Sequence, residues 1–323
     1  MTPEARQRAR SQVALAFLAV YLIWGSTYLA IVFAIATMPP LFMAAIRFLI
    51  AGTVLYGWAR LRGAPAPRPV QWAWATLLGA LFFLVGNGTV VWVEQRLPSG
   101  LTALIVAMVA VWTALVEWFR PGGARPSGMV LTGIILGFLG VALLVLPTGG
   151  HQGGVDLTAV MLLMSSCLCW AFASVFSKNA DLPASSPLTS GMEMLTGGVL
   201  LFLASVVAGE AGQFSFAAVT PKSWLAFAYL VVFGSLIGFT CFAFLLKATT
   251  PNKVATYGYV NPMVAMFLGW ALGGESLSTS SLVASLVIVL SVVLIITGRD
   301  LSFRAPRIAS STESLKSRDK VVT

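Results

Sequence analysis

Apolar runs of about twenty residues recur along the chain, near 13–36, 41–60, 72–93, 99–119, 127–146, 157–178, 187–208, 223–246, 253–272 and 280–298. A helix rises about 1.5 Å per residue, so roughly 20 apolar residues cross a ~30 Å hydrocarbon core. The pattern predicts an all-α polytopic membrane protein with ten transmembrane helices. The breaks are built from turn-forming residues, among them Pro39-Pro40, Pro98-Ser99-Gly100, Pro121 to Pro126, Pro183 to Pro187, Gly209 to Pro221 and Pro251-Asn252.

Composition supports the pattern. The chain is 58% hydrophobic and 10% charged, where a soluble domain carries about a quarter charged residues. The net charge of +9 is distributed by loop. One predicted side receives Arg6, Arg8, Arg10, Arg60, Arg62, Arg68, Arg120, Arg125, Lys178, Lys247, Lys253 and the basic tail, and the other receives only Arg96 and Lys222. Positive residues stay in the cytoplasm, so both ends are expected there. Orientation explains the charge, and no nucleic acid is expected. The first run is too long for a signal peptide and lacks a small-residue cleavage site, so it is expected to be retained.

Other chemistry is sparse. Cys167, Cys169 and Cys241 sit in apolar runs as small hydrophobes, without metal-ligand spacing. The one histidine, His151, lies in a Gly-rich loop. Neither a G-x-S-x-G elbow nor a P-loop occurs. An intramembrane hydrolase and an ATP-driven pump are thereby disfavoured, and a channel would need rings of charge that the runs lack. The expectation is a protein that is not an enzyme and uses no metal or cofactor. Its partners would be a small-molecule substrate and membrane lipids, and the chain would be a monomer or weak oligomer.

An internal repeat changes the picture. Trp24, Arg47 at +23 and Gly52 at +28 are matched by Trp170, Glu193 at +23 and Gly198 at +28. Further on, Ala103 and Trp118 match Ala255 and Trp270 at a common offset of 152. Five helices are thus used twice, and because five is odd the second set enters the membrane from the opposite side. Inverted repeats are a transporter signature, with a site near the midplane. The predicted organisation is a cytoplasmic tail at 1–12, a first repeat at 13–147, a connecting loop at 148–156, a second repeat at 157–298 and a cytoplasmic tail at 299–323.

Several residues in the runs are candidates for a cavity. Trp24 and Tyr28 lie some way into the first run and Trp170 in its counterpart, too deep for interfacial anchoring; close packing is the competing reading. Asn87 stands between Gly86 and Gly88, with Gly234 and Gly238 in a comparable place later. A lone amide in hydrocarbon is costly and so faces protein or water. The run holding Tyr257, Tyr259, Asn261 and Pro262 combines polar edges with a proline that frees backbone carbonyls. Arg47 and Glu193 are ionisable groups within spans and should face the interior. Their depths, separated by about 12 Å along the normal, predict separate partners rather than an ion pair.

The stretches WGSTY at 24–28, PPLFMAAIRFLIAG at 39–52, VGNG at 85–88, PSG at 98–100, EMLTGG at 193–198, FGS at 233–235, YGYVNP at 257–262 and GGE at 273–275 occur in this order. The chain so marked resembles the EamA-type transporters of the drug/metabolite transporter superfamily, especially its bacterial amino-acid and metabolite exporters. The resemblance implies two inverted five-helix EamA repeats around a central cavity from which solutes are released outward. The sequence departs from the family pattern at Ala110, which stands where Pro262 stands in the second repeat. It departs again at Arg120-Pro121-Gly122-Gly123, which replaces the acidic ending kept at Gly274-Glu275.

The expected function is therefore secondary export of amino acids, aromatic or hydrophobic ones with threonine or methionine as further candidates, and of related metabolites. The expected substrate-binding residues are Trp24, Tyr28, Asn87, Trp112, Trp170, Tyr257, Tyr259 and Asn261, with hinges at Gly86, Gly88, Gly234, Gly238 and Pro262. Glu193 is the candidate coupling carboxylate. The alternative is an exporter of lipophilic cations, which would need a carboxylate such as Glu193 in the cavity.

Overall fold

In hydrocarbon every backbone N–H and C=O must bond within its own segment or sheet, and the regular structure among the described residues is all helical. The computed structural model describes residues 3–123, 125–145, 156–276 and 279–304. Most of the predicted connecting loop, with His151, and the tail beyond 304 lie outside them.

Among the described residues, eight helices are long and apolar enough to cross a membrane. They are α1 (Arg10–Ile35), α2 (Pro40–Leu61), α3 (Pro69–Val93), α4 (Ser99–Phe119), α6 (Leu157–Asn179), α7 (Ser186–Val207), α8 (Pro221–Ala248) and α10, whose apolar span is Ser281–Gly298. Between them lie α5 (Gly128–Val145) and α9 (Tyr257–Gly273). The α1 helix begins at Pro3 and α10 continues to Arg304, beyond the predicted limits of 13 and 298.

Helix starts follow local chemistry. Proline opens α2, α3 and α8, where its missing N–H costs nothing. Asp156, Ser185 and Thr220 cap α6, α7 and α8 by accepting from the backbone N–H three residues on. Two caps come from a distance. Glu210 accepts from the N–H groups of Leu41 (2.7 Å) and Phe42 (3.1 Å) at the start of α2. Glu275 takes those of Ser99 (2.7 Å) and Gly100 (3.2 Å), and the Ser99 hydroxyl (2.6 Å), at the start of α4. The latter is the role of the acidic ending that the first repeat lacks.

The helices pair with their counterparts. The α2–α7 contact is the most extensive, and α5 packs on α10 and α4 on α9. All three pairs are antiparallel. A Cβ placed at Gly52 would lie 2.8 Å from the Leu195 nitrogen, one at Gly198 3.0 Å from the Leu49 nitrogen, and one at Gly191 2.6 Å from the Tyr56 nitrogen. Gly133 and Gly140 of α5 meet Ser291 and Ile288 of α10, and Gly100 of α4 meets Met266 of α9. Small residues let helix backbones approach where lipid offers no hydrophobic drive for association. Swapping each helix for the one five later leaves the pattern unchanged: α1 on α8 answers α6 on α3, and α1 on α9 answers α6 on α4.

The α2–α7 register also separates Arg47 from Glu193. Since Leu49 faces Gly198 and Tyr56 faces Gly191, Arg47 is level with Leu200, seven residues and about 10 Å from Glu193 along the axis. Each has its own surroundings, as their depths in the sequence implied.

Three helices contain π-helical stretches, at Val20–Trp24 in α1, Ala80–Asn87 in α3 and Leu230–Phe239 in α8. The fourth helix breaks at Ala107–Met108 although Ala110 replaces proline. Pro262 is buried within an unbroken α9, and the break in its segment falls earlier, between the short helix Pro251–Val254 and Tyr257.

Candidate functional site

Two apolar cores divide the interior. One is built mainly from α1, α2, α3 and α8, the other from α4, α5, α6 and α10. Between them lies a tight cavity of about 70 Å³.

Its centre is an aromatic pair. Trp24 and its counterpart Trp170 meet edge to face, ring centroids 5.9 Å apart. Phe239, Phe242 and Tyr257 pack around Trp24 at 4.9, 5.0 and 5.4 Å, and Phe82 lies 4.8 Å from Trp170. Such tilted arrangements satisfy the ring quadrupoles. A glycine makes room for each indole: a Cβ on Gly86 would lie 2.8 Å from Trp170, and one on Gly238 2.4 Å from the Trp24 nitrogen. Both glycines lie in π-helical stretches, which recur at functional sites because the extra residue per turn frees backbone groups.

The two halves use the freed groups differently. Trp24 Nε1–H donates to the Gly234 carbonyl at 3.2 Å. On the other side Asn87 Nδ2–H donates to the Phe82 carbonyl at 3.0 Å. The buried Trp170 Nε1 has no hydrogen-bond partner among the described residues. An indole N–H, beside the Tyr257 hydroxyl, and an amide oxygen thus remain on the wall.

Arg47 is the only charged side chain among the described residues lining this cavity. It is 2% exposed. Its Nε–H donates to Ser235 Oγ at 2.8 Å and its guanidinium lies 4.7 Å from the Phe48 ring centre. Gly234 admits it, since a Cβ there would lie 2.8 Å from Nη2. Nη1 has no partner among the described residues.

A second cavity of about 380 Å³ adjoins the first through Phe239, which lines both. Phe82, Phe242, Glu193, Lys178 and Lys247 contribute to its wall. Lys247 Nζ donates to the carbonyls of Pro183 (2.9 Å) and Ala184 (3.0 Å), and Lys178 Nζ to that of Thr249 (2.9 Å).

Of the residues expected to bind substrate, Trp24, Tyr28, Asn87, Trp170 and Tyr257 line the central cavity. Trp112, Tyr259 and Asn261 do not. Trp112 packs edge to face on Phe138 at 5.7 Å, its indole nitrogen buried without a partner among the described residues. Tyr259 packs against the second apolar core. Asn261 is buried on α9 where that helix meets Gly25 of α1. Among the expected hinges, Gly86 lines the cavity, Gly234 and Gly238 admit Arg47 and Trp24, and Gly88 faces Leu201 behind the wall. Glu193 belongs to the second cavity. Thr27, Phe239, Ser166 and Cys167 are further wall residues that sequence reasoning did not select. Arg47 carried a usable signal, because an intramembrane ion marks a functional interior.

Comparison with known proteins agrees with this architecture. The profile of the EamA-like transporter family matches twice, over residues 11–146 and 157–297. The uncharacterized inner membrane transporter YedA of Escherichia coli (strain K12) is 38% identical over 295 residues, covering 91% of this chain and 94% of its own. The uncharacterized transporter YvbV of Bacillus subtilis (strain 168) is 27% identical over 288 residues, covering 89% and 92%. Protein PecM of Dickeya dadantii (strain 3937) is 25% identical over 295 residues, covering 90% and 94%. A solved crystal structure with 20% identity superposes with a TM-score of 0.64 over 90% of this chain and 99% of its own, a likeness of fold alone. With two matches of one profile covering most of its length, the chain belongs to the EamA-like transporter family and is a multi-pass protein of the inner membrane.

Proposed function

We propose that the protein exports amino acids across the inner membrane by alternating access, aromatic and hydrophobic ones foremost, with threonine or methionine and related metabolites as further cargo. Ten helices would form two inverted repeats of five, 13–147 and 157–298, with both ends cytoplasmic. The antiparallel counterpart pairs and their reciprocal glycine contacts support this arrangement.

The observation that carries the reading is the aromatic cavity where Trp24 and Trp170 meet. Aromatic walls suit an apolar side chain, and a few fixed polar groups suit a small zwitterion. In this scheme Trp24, Tyr28, Asn87, Trp170 and Tyr257 contact the solute, while Trp112, Tyr259 and Asn261 support the wall from behind. The glycine-bearing π stretches, with Pro262, act as hinges. The second cavity, on the Lys178 and Lys247 side, is the cytoplasmic vestibule, and Glu193 within it is the carboxylate placed to gain and lose a coupling proton. A lipophilic cation fits less well, because it would pass two lysines and then meet the Arg47 guanidinium.

The test is uptake of a labelled amino-acid panel into proteoliposomes, with and without a proton gradient. Trp170→Ala and Asn87→Ala are each expected to reduce it at least about tenfold, the effect of losing a contact of about 1.4 kcal/mol. Unchanged transport in both variants refutes the cavity, and failure of the whole panel removes the amino-acid assignment.

A further inference from the structure

The central cavity contains a cation with no anion. Among the described residues no carboxylate pairs with Arg47: Glu94, the acid whose field reaches it, keeps both of its oxygens buried and without a partner, and Glu193 is about 10 Å away along the helix axes. A guanidinium presents five donors in a planar fork matched to a carboxylate. Here Nε is spent on Ser235 and Nη1 is not spent. A buried, underpaired ion is costly at this depth, and an anion arriving in the cavity would meet the deficit.

Another polar side chain on this wall is Asn87. Its amide N–H is committed to the Phe82 carbonyl, so what it offers to the cavity is its oxygen, an acceptor. One cavity therefore carries a charged donor, a neutral acceptor and an aromatic floor.

We infer that Arg47 is the specificity-determining anchor for a solute carboxylate, with Nη1 as donor and the Asn87 oxygen receiving an ammonium, so that the cavity selects α-amino monocarboxylates. The inference rests on the amino-acid reading of the same cavity and names the group that recognises the acid end. A carboxylate on Arg47 leaves the solute side chain against Trp24, Trp170 and Tyr257.

Binding to the purified full-length protein in detergent, read by tryptophan fluorescence and by thermal shift, tests this directly. The probes are L-phenylalanine, L-methionine and L-threonine, their carboxamides, and 3-phenylpropionate, which keeps the carboxylate and lacks the amine. The acids should bind roughly tenfold to a hundredfold more tightly than the amides, the range expected of a hydrogen bond to a charged group. Arg47→Gln should bring acid and amide within about threefold, and Arg47→Lys should retain part of the preference. Equal binding of acid and amide by the wild type overturns the anchor while leaving amino-acid transport standing. Arg47-dependent binding of 3-phenylpropionate without any amino acid leaves the anchor standing and removes the amino-acid reading. A preference that survives Arg47→Gln, or no binding by any carboxylate, overturns the anchor. Should Arg47→Gln fail to fold, the wild-type comparison and Arg47→Lys still decide the question.

Discussion

The α2–α7 crossing makes the sharpest stability prediction. A methyl group added at Gly52 would meet two backbone atoms of α7, the Leu195 nitrogen at 2.8 Å and the Gly191 oxygen at 3.0 Å. Neither belongs to a side chain that could rotate away. Ordinary contact begins near 3.4 Å, so the helices must part by about 0.5 Å. A gap of that size forfeits a quarter or more of each dispersion contact along the interface, and overpacking of this kind costs about 1–3 kcal/mol. At about 2–4 °C per kcal/mol, Gly52→Ala should melt roughly 2–12 °C below wild type in detergent. The control is on the same helix: a methyl at Gly57 meets nothing within 4 Å, and Gly57→Ala should melt with the wild type. Gly198→Ala should fall between them, because part of its clash is with the Leu49 side chain, which can move. Equal melting of the Gly52 and Gly57 variants would refute the close-crossing argument.

Trp24→Phe should lower the melting point by about 2–4 °C through loss of the bond to the Gly234 carbonyl, worth ~1 kcal/mol. Trp170→Phe, whose indole nitrogen has no partner, should cost less, and comparable destabilisation of the two would contradict the described asymmetry. Glu275→Ala leaves Ser99 N–H, Ser99 hydroxyl and Gly100 N–H unpaired at the α4 start, a loss of about 2–3 kcal/mol that thermal melting should register. The Asp156 carboxyl is held below the usual range by the Ala159 backbone N–H and by Arg96. A depressed folded pKa stabilises above the unfolded value of about 3.9 and the effect is lost as pH falls through the folded value. Asp156→Asn keeps a capping oxygen but loses the charge facing Arg96, so it should flatten part of the acid limb of the melting profile, and an unaltered limb would remove that charge from the account.

Much of this arrangement was legible because hydrocarbon imposes simple rules. Length and apolarity mark the spans, and the matched spacing of Trp24 and Trp170 anticipates the two residues that meet at the cavity centre. Rotation about a helix axis was not legible. Tyr257 and Tyr259 are two residues apart, about 200° around the helix, so one lines the cavity and the other faces a separate core. In an apolar environment no polar stripe signals which is which. On α4, Val106 and Val109 form the wall, while Trp112 lies beyond it against Phe138. The π stretches were also invisible, since one extra residue in a turn disturbs no hydrophobic period; only the glycines at 86, 234 and 238 hinted at them. Nor does the proline rule account for α4, which breaks at Ala107–Met108 without one.

The unequal hydrogen bonding of the two central tryptophans has an energetic consequence. If the halves were identical, exchanging their conformations would produce a second state of the same free energy, and a cycling protein would divide its time evenly between facing in and facing out. Here the Trp24 N–H is bonded, whereas the carbonyl that would serve Trp170 is occupied by Asn87. Each such unmatched bond is worth about 1 kcal/mol, or roughly a fivefold population ratio. In the proposed alternating-access cycle, one amide between two glycines would tilt the resting balance between the two faces of the membrane.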